Sequence, residues 1–150
     1  MIARGAAVAA LYAGVTLIFE PISFGPVQLR VSEALTLLPL LWVDAVPGLF
    51  VGCLIANLFG GLGLVDIICG SAATLTAALL TRLAVPNVLL GAAAPVAVNG
   101  VVVGIYLSFI TDMPVYLTIP YVAAGEAMAC FALGIPLIRE LRKRFGEKDK

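Results

Sequence analysis

A carboxylate at Glu126 stands inside the apolar run Tyr116–Ile138, with no basic residue within a turn or two of helix. A charge near the centre of a bilayer costs about 2.5–3.5 kcal/mol on insertion scales, so such a group needs a proton, a polar neighbour or a ligand. Asn99 and Tyr106 lie seven residues apart in another apolar run. That spacing puts an amide and a phenol on one face of a helix, two turns apart. With Glu126 they could line a pocket offering a carboxylate, an amide and an aromatic hydroxyl. They could equally serve as hydrogen-bonded glue between helices. A third group lies in Glu20–Glu33, where Gln28 and Arg30 alternate with Val27, Leu29 and Val31. In an extended segment both polar side chains would point one way. A lid carrying ligand contacts fits this pattern. So does a structural reentrant loop in which Arg30 pairs locally with Glu33. Asn57 and Asp66 complete the polar set. Glu33 and Asp66 are candidates for an acid/base dyad, but nothing in their spacing argues for one.

Several chemistries are excluded. A phosphate-binding Walker loop needs Gly-x-x-x-x-Gly-Lys-Ser/Thr, and the first lysine of this chain is Lys143. Gly61-Leu62-Gly63 lacks the third glycine of a dinucleotide fingerprint. There is no histidine, so neither a Ser/His nor a Cys/His pair can form. Cys53, Cys69 and Cys130 lack CxxC spacing and read as small buried hydrophobes. The chain is not expected to be an enzyme, and no cofactor or metal is expected.

The elements that must position these groups are apolar helices. The chain is 62% hydrophobic and only 12% charged, where soluble domains carry about 25% charged residues. Its mean hydropathy is +1.12. It reads as an integral membrane protein, and no run needs a strand, since only helices or closed barrels satisfy the backbone in lipid. Apolar segments fall at about 5–19, 34–46, 48–60, 64–84, 88–110 and 114–138, separated by Gly, Pro, Asn and Asp turns. One helix over 34–63 would be about 45 Å long, too long for a hydrocarbon core of about 30 Å. Two short helices broken at Pro47-Gly48 fit better. The first segment has no clear cleavage site before Glu20 and reads as a retained helix.

Basic residues set the expected topology. Arg4 places the N-terminus inside, and Arg139, Arg142, Lys143, Arg144, Lys148 and Lys150 place the C-terminus inside. Both hold only for an even number of spans. Six spans leave Arg30 alone among the basic residues outside. The expected fold is therefore an all-α integral membrane bundle of six transmembrane helices, N-in and C-in. It forms one domain over residues 1–150, with a basic cytoplasmic tail at about 139–150. In this topology Glu20, Gln28, Arg30, Glu33, Asn57, Asp66, Tyr106 and Asp112 gather in or near the outer half. Asn99 and Glu126 fall near mid-membrane. The first helix carries the small-residue stripe Ala6, Ala10, Gly14, with Ala9 and Ala13 on a neighbouring face. Such stripes permit close backbone approach, either to a partner or within the bundle.

The segments Ile22–Leu41 (ISFGPVQLRVSEALTLLPLL), Pro47–Asp66 (PGLFVGCLIANLFGGLGLVD) and Gly125–Leu137 (GEAMACFALGIPL) resemble the queuosine-precursor transporter family, QueT. The resemblance covers nearly the whole chain, and FGPVQLRVSEAL is its most specific part. It implies a substrate-binding S component of an energy-coupling factor (ECF) transporter in a prokaryotic plasma membrane. Such a subunit works with a module of one transmembrane coupling protein and two ATPases, which would supply the absent ATP hydrolysis. The resemblance implies that Ala6 and Ala10, extended by Gly14, dock on the coupling protein. It implies a deazaguanine substrate: the aminomethyl or nitrile base, or queuine. Glu126 would then accept the guanine N1–H and NH₂ as a bidentate pair. Asn99 would meet the carbonyl or a ring nitrogen, and Phe24 or Tyr106 would stack on the ring. A cationic aminomethyl group would ask for a second carboxylate, Glu33 or Asp66. An S component for another vitamin, or a structural or assembly protein without a ligand, are the alternatives.

Overall fold

The computed structural model describes residues 2–25 and 28–145. Pro26 and Val27 of the turn and lid readings, and Lys148 and Lys150 of the tail, lie outside the described residues. In a chain this apolar every backbone amide must find a partner within its own segment. All regular structure among the described residues is accordingly helical. The elements are α1 (Ile2–Ile18), the single turn α2 (Glu20–Ser23), α3 (Val31–Leu40), α4 (Ala45–Phe59), α5 (Asp66–Leu83), α6 (Val88–Thr111) and α7 (Val115–Phe145). The last three are long and apolar enough to cross a membrane; α1, α3 and α4 are shorter apolar helices. Wide π turns open α5 at Asp66–Gly70 and interrupt α7 at Met128–Gly134.

Local chemistry explains most boundaries. Asn87 caps α6, its side-chain oxygen accepting from the Leu89 and Leu90 amides at 3.0 and 3.2 Å. The helix ends where Asp112 turns left-handed at φ 55°. Two expected boundaries are corrected. The break in 34–63 falls between Leu40 and Ala45, not at Pro47-Gly48. Pro47 sits in the first turn of α4, where a missing N–H costs nothing. The chain turns instead at Trp42 and Asp44, which are anchored by Arg4. The Arg4 guanidinium lies 4.9 Å over the Trp42 ring and 3.7 Å from the Asp44 carboxylate. Nor is Glu20–Glu33 wholly non-helical: helix covers Glu20–Ser23 and resumes at Val31.

α3 is a 3₁₀ helix of ten residues. At a rise of about 2.0 Å per residue it reaches about 20 Å, a third farther than an α-helix of that length. It runs through the middle of the bundle, packed by α1, α4, α5, α6 and α7, and its polar residues Ser32, Glu33 and Thr36 are all buried. Residues i and i+3 eclipse in this geometry. Thr36 therefore stacks on Glu33, its hydroxyl donating to the Glu33 carbonyl at 2.5 Å.

α1 lies tightly on α4. A Cβ at Gly52 would fall 2.7 Å from the Ala9 carbonyl oxygen, a distance no side chain tolerates. This contact buries Ala9 and Ala13 with Val8, Tyr12 and Thr16. It turns Ala6 and Ala10 outward, both exposed, with Gly14 half-buried. The two small-residue faces thus part company, one packed inside and one free.

Basic residues gather at one end of the bundle. Arg4 meets Asp44 and Trp42 at one end, where Trp42 also packs edge-on against Phe145 at 5.9 Å. Arg82 donates to the Pro39 carbonyl at 3.0 Å, and Arg142 to the Pro86 carbonyl at 3.4 Å. α4 runs from this basic end to Gly60, where the Phe24 ring lies so close that a Cβ would collide with it. The polar residues of interest lie between these limits.

Candidate functional site

Two polar centres sit inside the apolar bundle. The first is built on Asp66, whose side chain is 0% exposed. The π turn that opens α5 carries Asp66 inward, and the Tyr106 hydroxyl, from α6, donates to its Oδ1. Arg30, 4% exposed, brings Nη2 to 3.3 and 3.5 Å from the two carboxylate oxygens. The Phe24 ring covers the guanidinium at 4.9 Å, a cation–π contact, and Arg30 Nε donates to the Ser23 carbonyl at 3.4 Å. From α4, Asn57 Nδ2 donates to the Asp66 carbonyl at 2.9 Å. Gly70 makes room for this packing, since a Cβ there would lie 2.8 Å from Asp66 Oδ1, 2.9 Å from Asn57 Nδ2 and 3.0 Å from the Tyr106 hydroxyl. Beside it Cys53 Sγ receives Thr74 Oγ1 at 3.3 Å, Asn57 Nδ2 at 3.5 Å and Arg30 Nη1 at 3.9 Å.

The second centre pairs two carboxylates from facing elements. Glu33, on α3, accepts at Oε1 from the Tyr12 hydroxyl of α1. Glu126, on α7, accepts at Oε1 from Asn99 Nδ2 at 3.0 Å. The elements meet where the Cys130 thiol, one turn beyond Glu126, donates to the Glu33 carbonyl at 3.6 Å. Glu33 and Glu126 are 1% and 3% exposed.

The unpaired atoms give the site its chemical character. Among the described residues, Glu33 Oε2, Glu126 Oε2, Asn57 Oδ1 and Asn99 Oδ1 are buried acceptors without a partner. Gln28 Nε2 is a buried donor without one, and the Ser23 and Ser71 hydroxyls are also free. The amide orientations follow from chemistry: Asn57 Nδ2 faces a carbonyl and Asn99 Nδ2 a carboxylate, both acceptors, which leaves each Oδ1 open. Each such group costs about 1–3 kcal/mol when buried unsatisfied. Gln28 adds backbone strain, being 2% exposed at φ 47°, a left-handed conformation that disfavours a residue with a Cβ. This concentration suits recognition of a small polar molecule richer in donors than in acceptors. It contains no activated nucleophile, and the described residues hold no cluster of three His, Cys, Asp or Glu side chains able to bind a metal.

The structure brings together nearly every residue singled out from the sequence, with three corrections. Arg30 pairs with Asp66, not with Glu33. Its backbone is extended at the entry to α3, while Glu33 is already on the helix and turned to Tyr12. Asn99 and Tyr106 share a helix face but serve different centres, with Tyr106 bound to Asp66 and Asn99 to Glu126. Cys53 is buried but acts as a polar acceptor, and Cys69 is exposed, so neither is a buried hydrophobe. Tyr12, Thr74, Ser23 and Ser71 were not expected. Tyr12 had a signal, standing on the same small-residue face as Ala9 and Ala13. Cys53 had one too, four residues before Asn57 on one helix face.

A family model described as QueT transporter matches residues 2–143. The chain belongs to the QueT transporter family. It is thus a transporter of the membrane, and its polar interior is the interior of a protein that moves a small molecule. No curated protein and no solved structure matches it.

Proposed function

We propose that the chain is the substrate-capture S component of an ECF-type importer and that it binds a deazaguanine, a precursor of queuosine. The observation that carries this reading is the set of unpaired buried acceptors around Glu33, Asn57, Asn99 and Glu126, with Gln28 as their donor counterpart. A deazaguanine presents N1–H, an exocyclic NH₂ and a pyrrole N–H as donors, and a carbonyl as its main acceptor. Glu126, steadied by Asn99, accepts the N1–H and NH₂ edge as a charge-assisted pair. Gln28 Nε2 donates to the carbonyl. Phe24 and Tyr106, at the Asp66 centre, offer ring faces. Asp66, Arg30 and Asn57 hold those rings in place.

The six apolar segments α1, α3, α4, α5, α6 and α7 act as six spans. Arg4, Arg82 and Arg142 gathered at one end support a cytoplasmic location for that end and for both termini, in a prokaryotic plasma membrane. The outward stripe Ala6, Ala10, Gly14 docks on the coupling protein of a module whose ATPases hydrolyse ATP. Next to it, at the basic end, lies an apolar groove of about 500 Å³ lined by Ile2, Ala6, Val43, Pro47 and Val51.

The test is uptake. Cells that express the chain with a coupling protein and both ATPases accumulate labelled aminomethyl or nitrile deazaguanine, and cells with ATPase-dead partners do not. Accumulation that persists without working ATPases overturns the importer reading.

A further inference from the structure

The buried charges do not balance. Between the two centres lie three carboxylates, Glu33, Asp66 and Glu126, and one guanidinium, Arg30. Arg30 is committed to Asp66, whose oxygens also take the Tyr106 hydroxyl. Among the described residues no cation lies within ion-pair distance of Glu33 or Glu126. Each of these two carboxylates has one oxygen on a neutral donor, Tyr12 or Asn99, and one oxygen free. They stand on facing elements, joined through the Cys130 thiol, and Asn99 Oδ1 is a further unpartnered acceptor, 2% exposed, beside Glu126. In an apolar surround two carboxylates so placed stay ionised together only beside a cation, so the arrangement disfavours an anion and favours a cation.

Resting on the deazaguanine reading above, we infer that the site selects the base bearing a primary ammonium over neutral congeners, with the ammonium held by the free oxygen of Glu33 while Glu126 and Asn99 take the guanine edge. Asp66 is not the second carboxylate. Its partner is built in, so a ligand cation there would have to displace Arg30 from the Phe24 ring and the Ser23 carbonyl. Glu33 needs no displacement, since its Oε2 is free and its other oxygen is fixed by Tyr12. The pairing also explains why Glu33 lies on the central helix, where an ammonium bridging α3 and α7 ties together two elements in contact.

The experiment is a binding comparison on the purified full chain in detergent by titration calorimetry. It uses the aminomethyl deazaguanine, its N-acetyl derivative and the nitrile, the last two neutral. The wild type is expected to bind the aminomethyl base at least about tenfold more tightly than either neutral base, the scale set by truncating one partner of a buried charge pair. In Glu33→Gln, which keeps an acceptor for Tyr12, that preference collapses towards unity while the nitrile affinity is retained. Asp66→Asn lowers all three affinities together and keeps their ranking. Equal or tighter wild-type binding of the nitrile overturns the inference without any variant having to fold. So does an aminomethyl preference that survives Glu33→Gln. Failure of all three bases to bind the wild type is a different result: it overturns the deazaguanine reading itself, and the inference with it.

Discussion

Replacing Arg30 by Met isolates the energetic role of the Arg30–Asp66 pair. The substitution keeps length and apolar volume but leaves the Asp66 carboxylate, 0% exposed, with the Tyr106 hydroxyl and no cation. Removing one member of a buried ion pair costs about 3–5 kcal/mol, because the remaining charge stays desolvated. Loss of the guanidinium from the Phe24 ring, 4.9 Å away, adds about 0.5–2 kcal/mol. For a chain of this size about 1 kcal/mol moves the thermal midpoint by roughly 2–4 °C, so a total loss of about 3.5–7 kcal/mol should make Arg30→Met melt about 7–28 °C below the wild type. The double variant Arg30→Met, Asp66→Asn removes both charges, and the new amide can still accept from Tyr106. It should recover most of the loss, as neutral replacements of buried pairs commonly do. The assay is thermal unfolding in one detergent for the wild type, the two single variants and the double, read as a thermodynamic cycle. A single variant within about 2 °C of the wild type, or a double variant whose loss equals the sum of the singles, refutes the view that this pair is buried, coupled and unsupported by other cations.

Other substitutions probe separate parts of the structure. Gly52→Leu forces a side chain into the Ala9 carbonyl; it should cost about 1–3 kcal/mol or more of stability by overpacking, seen as a lower melting point. Tyr12→Phe leaves Glu33 Oε1 without its donor and should cost about 1–3 kcal/mol in the same assay. Gly70→Ala sets a methyl against Asp66 Oδ1, Asn57 Nδ2 and the Tyr106 hydroxyl; ligand affinity should fall at least about tenfold in calorimetry. Ala10→Leu changes an exposed position on α1. It should leave ligand binding intact and abolish co-purification with the coupling protein.

Much of the site was legible because charge is so rare in this chain. Glu126, Arg30, Glu33 and Asp66 stood out as charges in apolar sequence, and all four are buried together. Asn99 and Tyr106 group with Glu126 in the sequence; Asn99 bonds to it across 27 residues, while Tyr106 bonds to Asp66 instead. Boundaries were legible where a turn carried its own chemistry, as at Asn87 and Asp112. Pairing was harder to read. Arg30 has a carboxylate three residues away in sequence and chooses one 36 residues away, because the 3₁₀ geometry of α3 turns Glu33 to Tyr12. The break at 41–44 was masked by Pro47, a residue that ends helices in their interior but starts them in the first turn. Tyr12 is not singled out, and Cys53 reads as a small buried hydrophobe, because a phenol and a thiol are unremarkable in apolar sequence. Their polar role depends on which face of α1 and α4 is turned inward.

On the proposed reading, the unpaired acceptors around Glu126 are there to hold a donor-rich base. Equilibrium dialysis of labelled aminomethyl deazaguanine against the purified chain, without any partner subunit, tests it most directly, with Glu126→Gln measured in parallel. Saturable binding of one base per chain is expected, competed by unlabelled deazaguanine and not by riboflavin, and weakened at least about thirtyfold in Glu126→Gln, the scale of one lost buried charge-assisted contact. No saturable binding by the wild type, or unchanged binding by a folded Glu126→Gln, would contradict it.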